Sequence, residues 1–170
     1  MTDQTQKSSD PFRDGLLLFT NVTVYKLEDY VNIPDKALKL ALRDSFSITA
    51  IATEAVNTIQ YQRPLPLLKP TSFPAAATGF KCVFKRSFLP ILMRRNIIQL
   101  PVFSGNQPWQ LLLTNEQYRQ AESIFIQMLQ EAGSTYSYKY HLIRNQISQL
   151  IHLGMKAKQI QENDNRPGVL

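Results

Sequence analysis

An α+β fold, strands first and two helices last, is what the 170 residues predict, and three observations carry that expectation. Residues 45–53 alternate, with Phe46, Ile48, Ala50 and Ala52 on one face and Ser45, Ser47, Thr49 and Thr53 on the other; only Ile51 breaks the pattern. Seven of the ten prolines fall between Arg63 and Trp109. Each removes a ladder donor, so that stretch is limited to short strands and corners. After Trp109 the apolar residues recur every three to four positions, the period of a helix.

Taken in order, residues 1–14 are polar and charged and read as a flexible N-terminal arm. Residues 16–19 (LLLF) and 22–25 (VTVY) are strand-like, and 36–42 (KALKLAL) fit an amphipathic helical turn and a strand equally. The 45–53 strand is expected to be half-buried, with 56–62 pairing to it through Glu54-Ala55. FKCVF at 80–84 alternates again, and residues 88–95 suit a short helix with Pro90 in its first turn. Thr114 and Gln117 have the spacing of a capping box, and Tyr118, Ala121, Phe125, Met128 and Ala132 form the stripe of the helix that follows. Gly133 is expected to end it in the left-handed conformation. A second helix spans about residues 136–160, with Ile143, Ile147, Leu150, Ile151 and Gly154 on one face. Leu142, Gln146, Gln149 and Leu153 form a narrower second stripe. A short joint makes the two an antiparallel pair. The divisions are thus an arm at 1–14, a β-rich region at 15–113, a helical hairpin at 114–160 and a polar tail at 161–170.

Catalytic and metal-binding chemistry is sparse. His141 and His152, eleven residues apart, lie ~16 Å apart along a straight helix and cannot share an ion. Cys82, the single cysteine, excludes an internal disulfide and a multi-thiolate zinc site; within FKCVF it reads as a buried structural thiol beside Phe80 and Phe84. The six glycines are scattered, so no phosphate-cradling loop is present. A non-enzyme without cofactor or metal is expected. No apolar run reaches the ~20 residues of a membrane span, and the polar N-terminus lacks a signal-peptide core; a cytoplasmic protein with no membrane partner is expected.

Charge is concentrated. The net charge is +6, yet residues 55–115 contain no Asp or Glu and carry Arg63, Lys69, Lys81, Lys85, Arg86, Arg94 and Arg95. Phe80, Phe84 and Phe88 interleave with these cations as on some nucleic-acid surfaces. Strand alternation turns Phe80, Cys82 and Phe84 away from Lys81 and Lys85, which favours core aromatics and a solvated cationic rim. A site for an anionic small molecule or partner and direct nucleic-acid contact remain the other two readings.

A resemblance runs through residues 78–158. TGFKCVF at 78–84, Phe88-Leu89, PVF at 101–103 and Gln107-Pro108 lead into LTNEQ at 113–117. IFIQML at 124–129, the tyrosine-rich STYSYKY at 134–140, LIRN at 142–145, LIH at 150–152 and Met155-Lys156 follow. In this order and spacing they resemble the latter half of the N-terminal sensor domain of AraC-type transcriptional regulators, over about half the chain. LEDYV at 27–31 and RDSF at 43–46 are weaker echoes of the opening strands. The resemblance implies a small cupin-like antiparallel β-barrel, a small anionic or polar effector, and C-terminal helices that form a homodimer. DNA would be contacted only indirectly, through a helix-turn-helix domain absent from this chain. Against the family pattern the barrel stretch is shortened and the Trp-containing segment before the GF strand is missing. The chain stops where the interdomain linker would begin, as expected of an excised domain, a truncated gene or a stand-alone sensor. Phe46, Ile48, Tyr61 and Arg63 are the candidate effector residues; Leu142, Gln146, Gln149 and Leu153 are candidates for the dimer interface or for packing on the barrel. The alternative is a degenerate cupin scaffold that only mediates protein association.

Overall fold

The computed structural model describes residues 21–32, 44–64, 73, 74 and 76–164. The expected arm, the strand-like 16–19, the ambiguous 36–42, Lys69 and the end of the tail lie outside them. Five strands, β1 (Val22–Lys26), β2 (Ser45–Ala52), β3 (Asn57–Gln62), β4 (Thr78–Lys85) and β5 (Trp109–Leu113), form one antiparallel sheet in the order β1-β4-β2-β3-β5. Among the described residues the sheet is open, with β1 and β5 at its edges. Helices α1 (Ile91–Asn96), α2 (Asn115–Gly133) and α3 (Lys139–Asp164) complete an α+β fold.

β2 and β3 form the hairpin that alternation anticipates, closed by Thr53, whose N–H donates to Val56 O at 3.0 Å and whose Oγ1 accepts from Val56 N–H at 3.1 Å. β4 lies between β1 and β2, and its second residue is Gly79, whose φ of +148° is disfavoured for a side-chain-bearing residue. A Cβ there would run into the Ala50 carbonyl, so the close approach of β4 to β2 requires glycine. β5 is a strand that residue spacing did not signal: in WQLLL, Leu111 and Leu113 are buried and Leu112 is exposed, an alternation too short to separate from the helical pattern that follows.

The capping box is present. Gln117 N–H donates to Thr114 Oγ1 at 3.2 Å and Thr114 N–H to Gln117 Oε1 at 3.0 Å, satisfying two otherwise orphaned donors. Gly133 is the last residue of α2, but its φ is not positive, contrary to expectation. The chain leaves through an extended Ser134, whose N–H bonds Glu131 O at 3.0 Å. α3 continues past Ile160 to Asp164, and Gln161 Nε2 donates to Leu112 O at 2.7 Å, tying that end of the helix to β5. The short helix expected at 88–95 divides into a 3-10 turn at Arg86–Phe88 and α1, with Pro90 capping α1.

The core lies between one sheet face and the helices. Phe46, Ile48, Ala50, Ile59, Tyr61, Phe80, Cys82, Phe84, Leu111 and Leu113 project from that face to meet Ala121, Phe125 and Met128 of α2 and Ile147, Leu150 and Ile151 of α3. α2 touches all five strands, while α3 packs on α2 and β5. Phe80 stacks on Phe125 with centroids 5.6 Å apart, and Phe103 meets both Phe46 and Tyr61 edge-on.

Candidate functional site

The opposite face of the sheet carries the unexpected chemistry. Cross-strand partners point to the same side, so register assigns its residues directly. One rung runs Tyr25, Lys81, Thr49, Gln60 across β1, β4, β2 and β3, and the next runs Thr23, Val83, Ser47, Gln62. The alternation of β2 predicts this polar set, but a half-buried strand would expose it. Instead Ser45, Ser47, Thr49, Thr58, Gln62 and Lys81 are buried, with Tyr25, Val83 and Leu27 among them. None of the nine belongs to the apolar cluster beneath the helices. The sheet therefore has two buried faces, one hydrocarbon and one hydroxyl- and amide-rich.

Lys81 corrects the expectation of a solvated rim. It is 2% exposed, and the Phe73 ring lies 5.8 Å from its Nζ. Among the described residues no hydrogen bond or ion pair reaches that ammonium, and none of the five strands contains an Asp or Glu. Burial alone pulls its pKa down to about 8, because desolvation disfavours the charged form. Lys85, paired with Ser45 on the same face, is half-buried and lies four residues further on, ~13 Å along the strand.

Other members of the basic segment hold the β4–β5 connection together. Arg86 Nε donates to Arg94 O at 2.7 Å, and Arg94 Nη2 donates to Ser87 O at 2.6 Å and Leu89 O at 3.1 Å. From α3, Arg144 Nε donates to Phe88 O at 2.7 Å while its guanidinium sits 4.8 Å from the Phe88 ring centroid. These donors close turns on backbone carbonyls instead of facing outward as a uniform basic stripe.

Of the sequence-derived candidates, Phe46, Ile48 and Tyr61 lie together in the helix-side core, and Arg63 is half-buried just beyond β3. Tyr61 also bridges sheet and helix. Its hydroxyl donates to Leu150 O at 2.6 Å, and the same oxygen lies against the backbone N–H of Gly154, the helical partner of that carbonyl. Burial pushes the Tyr61 phenol up, so it remains a donor. On α3, Leu142 and Gln149 are exposed, whereas Gln146 and Leu153 are buried. Gln146 Oε1 has no hydrogen-bond partner among the described residues. Cys82 is buried, and burial likewise raises its thiol pKa.

A cleft of about 340 Å³ opens beside the β2–β3 turn, lined by Thr53, Glu54, Asn57 and Asn115 among others. It brings a single carboxylate together with amides, too little for acid–base or metal chemistry. Among the described residues no group of three His, Cys, Asp or Glu side chains converges on a common point, and no helix is long and apolar enough to cross a membrane. Compared with known proteins, the chain matches no family model and no curated protein.

Proposed function

We propose that the chain is the effector-sensing and dimerisation module of an AraC-type transcriptional regulator. It acts in the cytoplasm and reaches DNA only through helix-turn-helix units supplied outside these 170 residues. The single observation carrying this reading is the second buried face: a sheet whose polar side is withdrawn from water around Lys81 while its apolar side is fully used by helices. Burying hydroxyls, amides and an ammonium costs free energy that an apolar face would not. A binding function explains why that cost is tolerated. In this reading the sheet belongs to a shortened cupin-like barrel, and α2 and α3 act as an antiparallel pair.

The route from effector to helix is short. Strand β3 presents Gln62 to the polar face, and the adjacent Tyr61 grips α3 at Leu150 from the other side. A ligand favouring one position of β3 would therefore bias α3 by its differential affinity for the two positions. Self-association through α3 is supported by the exposure of Leu142 and Gln149, and by Ile91 and Leu92 on α1, 64% and 80% exposed. α1 is joined to α3 through Met93 and Ser148.

Sedimentation velocity at tens of micromolar tests the reading. A dimer that Leu142→Glu and Gln149→Glu convert to monomer is the expected outcome; a wild-type monomer contradicts the dimerisation claim. The degenerate scaffold without an effector is favoured by one observation, the helix-side face being filled by its own side chains, Phe46, Ile48 and Tyr61 among them. Retention of the dimer together with indifference to every small molecule would select it.

A further inference from the structure

We propose that the cleft beside the β2–β3 turn binds a small amphiphilic amine, its ammonium on Glu54 and its hydrocarbon body against Val56 and Leu112. The inference goes beyond the effector-sensing reading and does not rest on it.

The cavity has walls that are held in place. Its volume, about 340 Å³, falls within the range of about 300–1,000 Å³ typical of small-molecule sites. One wall is the turn itself. Thr53 Oγ1 donates to Val56 O at 3.0 Å and accepts from Val56 N–H at 3.1 Å, which fixes the two intervening residues, Glu54 and Ala55. The other wall is the junction of β5 with α2, where Asn57 Nδ2 donates to Asn115 Oδ1 at 2.9 Å. Strand register reinforces the join, since Asn57 pairs with Leu113 and Thr58 with Leu112. A ligand entering between two fixed walls orders little of the chain, so little of its binding energy is offset by lost freedom.

The ligand's charge follows from the lining. Among the described residues that line the cleft, Glu54 carries the only charge, in a chain whose net charge is +6. Glu116, next in the chain to Asn115, adds a second carboxylate at the first turn of α2. The Asn57–Asn115 bond uses the Asn57 N–H and leaves its Oδ1 to accept. A carboxylate beside an amide oxygen suits a group that only donates, and an ammonium has three donors and no acceptor.

The rest of the ligand is set by two exposed side chains. Val56 is 46% and Leu112 60% exposed, and both line the cleft with Ala55 and the buried Leu113. A branched or aromatic body laid over them removes apolar surface from water, which an inorganic cation cannot do. A polyamine is the poorer match, because it places a second ammonium where the lining provides hydrocarbon.

The test uses the full chain in calorimetric titrations with phenethylamine and isopentylamine hydrochlorides at low ionic strength. The neutral 2-phenylethanol and the anion 3-phenylpropionate, close to the first amine in shape, serve as controls. At least one amine should bind saturably with a millimolar or lower dissociation constant, while the alcohol and the acid do not. The same amine should shift the amide resonances of residues 53–57, 112, 113 and 115. Glu54→Gln, at an exposed position, should leave the melting temperature unchanged. It should bind the amine about tenfold more weakly, through loss of a charge-assisted hydrogen bond. Leu112→Thr, a second exposed position, should weaken both amines by a separate route. Equal binding of 2-phenylethanol would overturn the ammonium assignment. Resonance shifts confined to other residues, or undiminished binding by Glu54→Gln, would overturn the site. No binding of either amine at tens of millimolar would overturn it as well.

Discussion

Gly154→Ala inverts a familiar rule, and the inversion can be sized. In a helix interior, alanine is ordinarily favoured over glycine by about 1 kcal/mol, and Gly154 lies in the body of α3. Here a Cβ would overlap Oη and Cζ of Tyr61, a side chain 1% exposed and in ring contact with Phe103 and Trp109. The ring has no free volume to enter, so the methyl acts as overpacking, costing about 1–3 kcal/mol. Displacing the hydroxyl also threatens its bond to Leu150 O, a further ~1 kcal/mol. The costs exceed the propensity gain, leaving Gly154→Ala destabilised by about 1–3 kcal/mol. At ~2–4 °C per kcal/mol for a domain of this size the melting temperature should fall by roughly 3–10 °C. Urea unfolding of the single variants and of Gly154→Ala combined with Tyr61→Leu completes the cycle. In the Tyr61→Leu background the alanine should be neutral or stabilising. A higher melting temperature for Gly154→Ala alone would refute the close packing of β3 on α3.

Three further outcomes follow from the packing of the sheet and helices. Lys81 holds its proton less tightly in the folded chain, near 8, than at the ordinary lysine value of 10.5 expected of the unfolded chain, so the unfolded chain binds more protons between those values. The penalty is complete below about pH 8 and is relieved as pH rises towards 10.5. At about 1.4 kcal/mol per tenfold change in proton affinity this amounts to ~3 kcal/mol; the stability advantage of Lys81→Met should shrink between pH 7 and 10, and a constant difference would speak against it. Thr114→Ala removes half of the capping box and should cost about 1 kcal/mol in urea unfolding, with no loss expected if the cap does not form. Cys82, fully buried with its thiol held protonated, should react with a thiol reagent only after denaturation; rapid labelling of the native chain would show that β4 is open.

The order of elements was legible because period is a local property. Residues 45–53 alternate and those after Thr114 repeat every three to four, so β2, α2 and α3 could be placed from the chain alone. β5 was not, because three leucines in five residues satisfy both periods and only pairing with β3 decides between them. The polar face was legible in composition and illegible in burial. Ser45, Ser47 and Thr49 announce that one side of β2 is polar, but whether water reaches that side depends on contacts distant in sequence. Lys81 was assigned to solvent for the same reason, lysine being exposed in most settings. Phe46, Ile48 and Tyr61, three of the candidate effector residues, lie on the side of β2 and β3 that faces the helices, opposite the polar face. The distinction between the two faces needed the register, which ties Lys81 to Tyr25 and Thr49.

The state of Lys81 tests the central claim most directly. Nuclear magnetic resonance of the chain labelled with ¹³C/¹⁵N-lysine, with the Lys81 signal assigned by its loss in Lys81→Met, gives the titration midpoint of this one ammonium. A midpoint near 8, below the ordinary lysine value of 10.5, is the result required by a desolvated lysine on a buried polar face. A midpoint near 10.5 would contradict it, placing Lys81 in water or beside an acid.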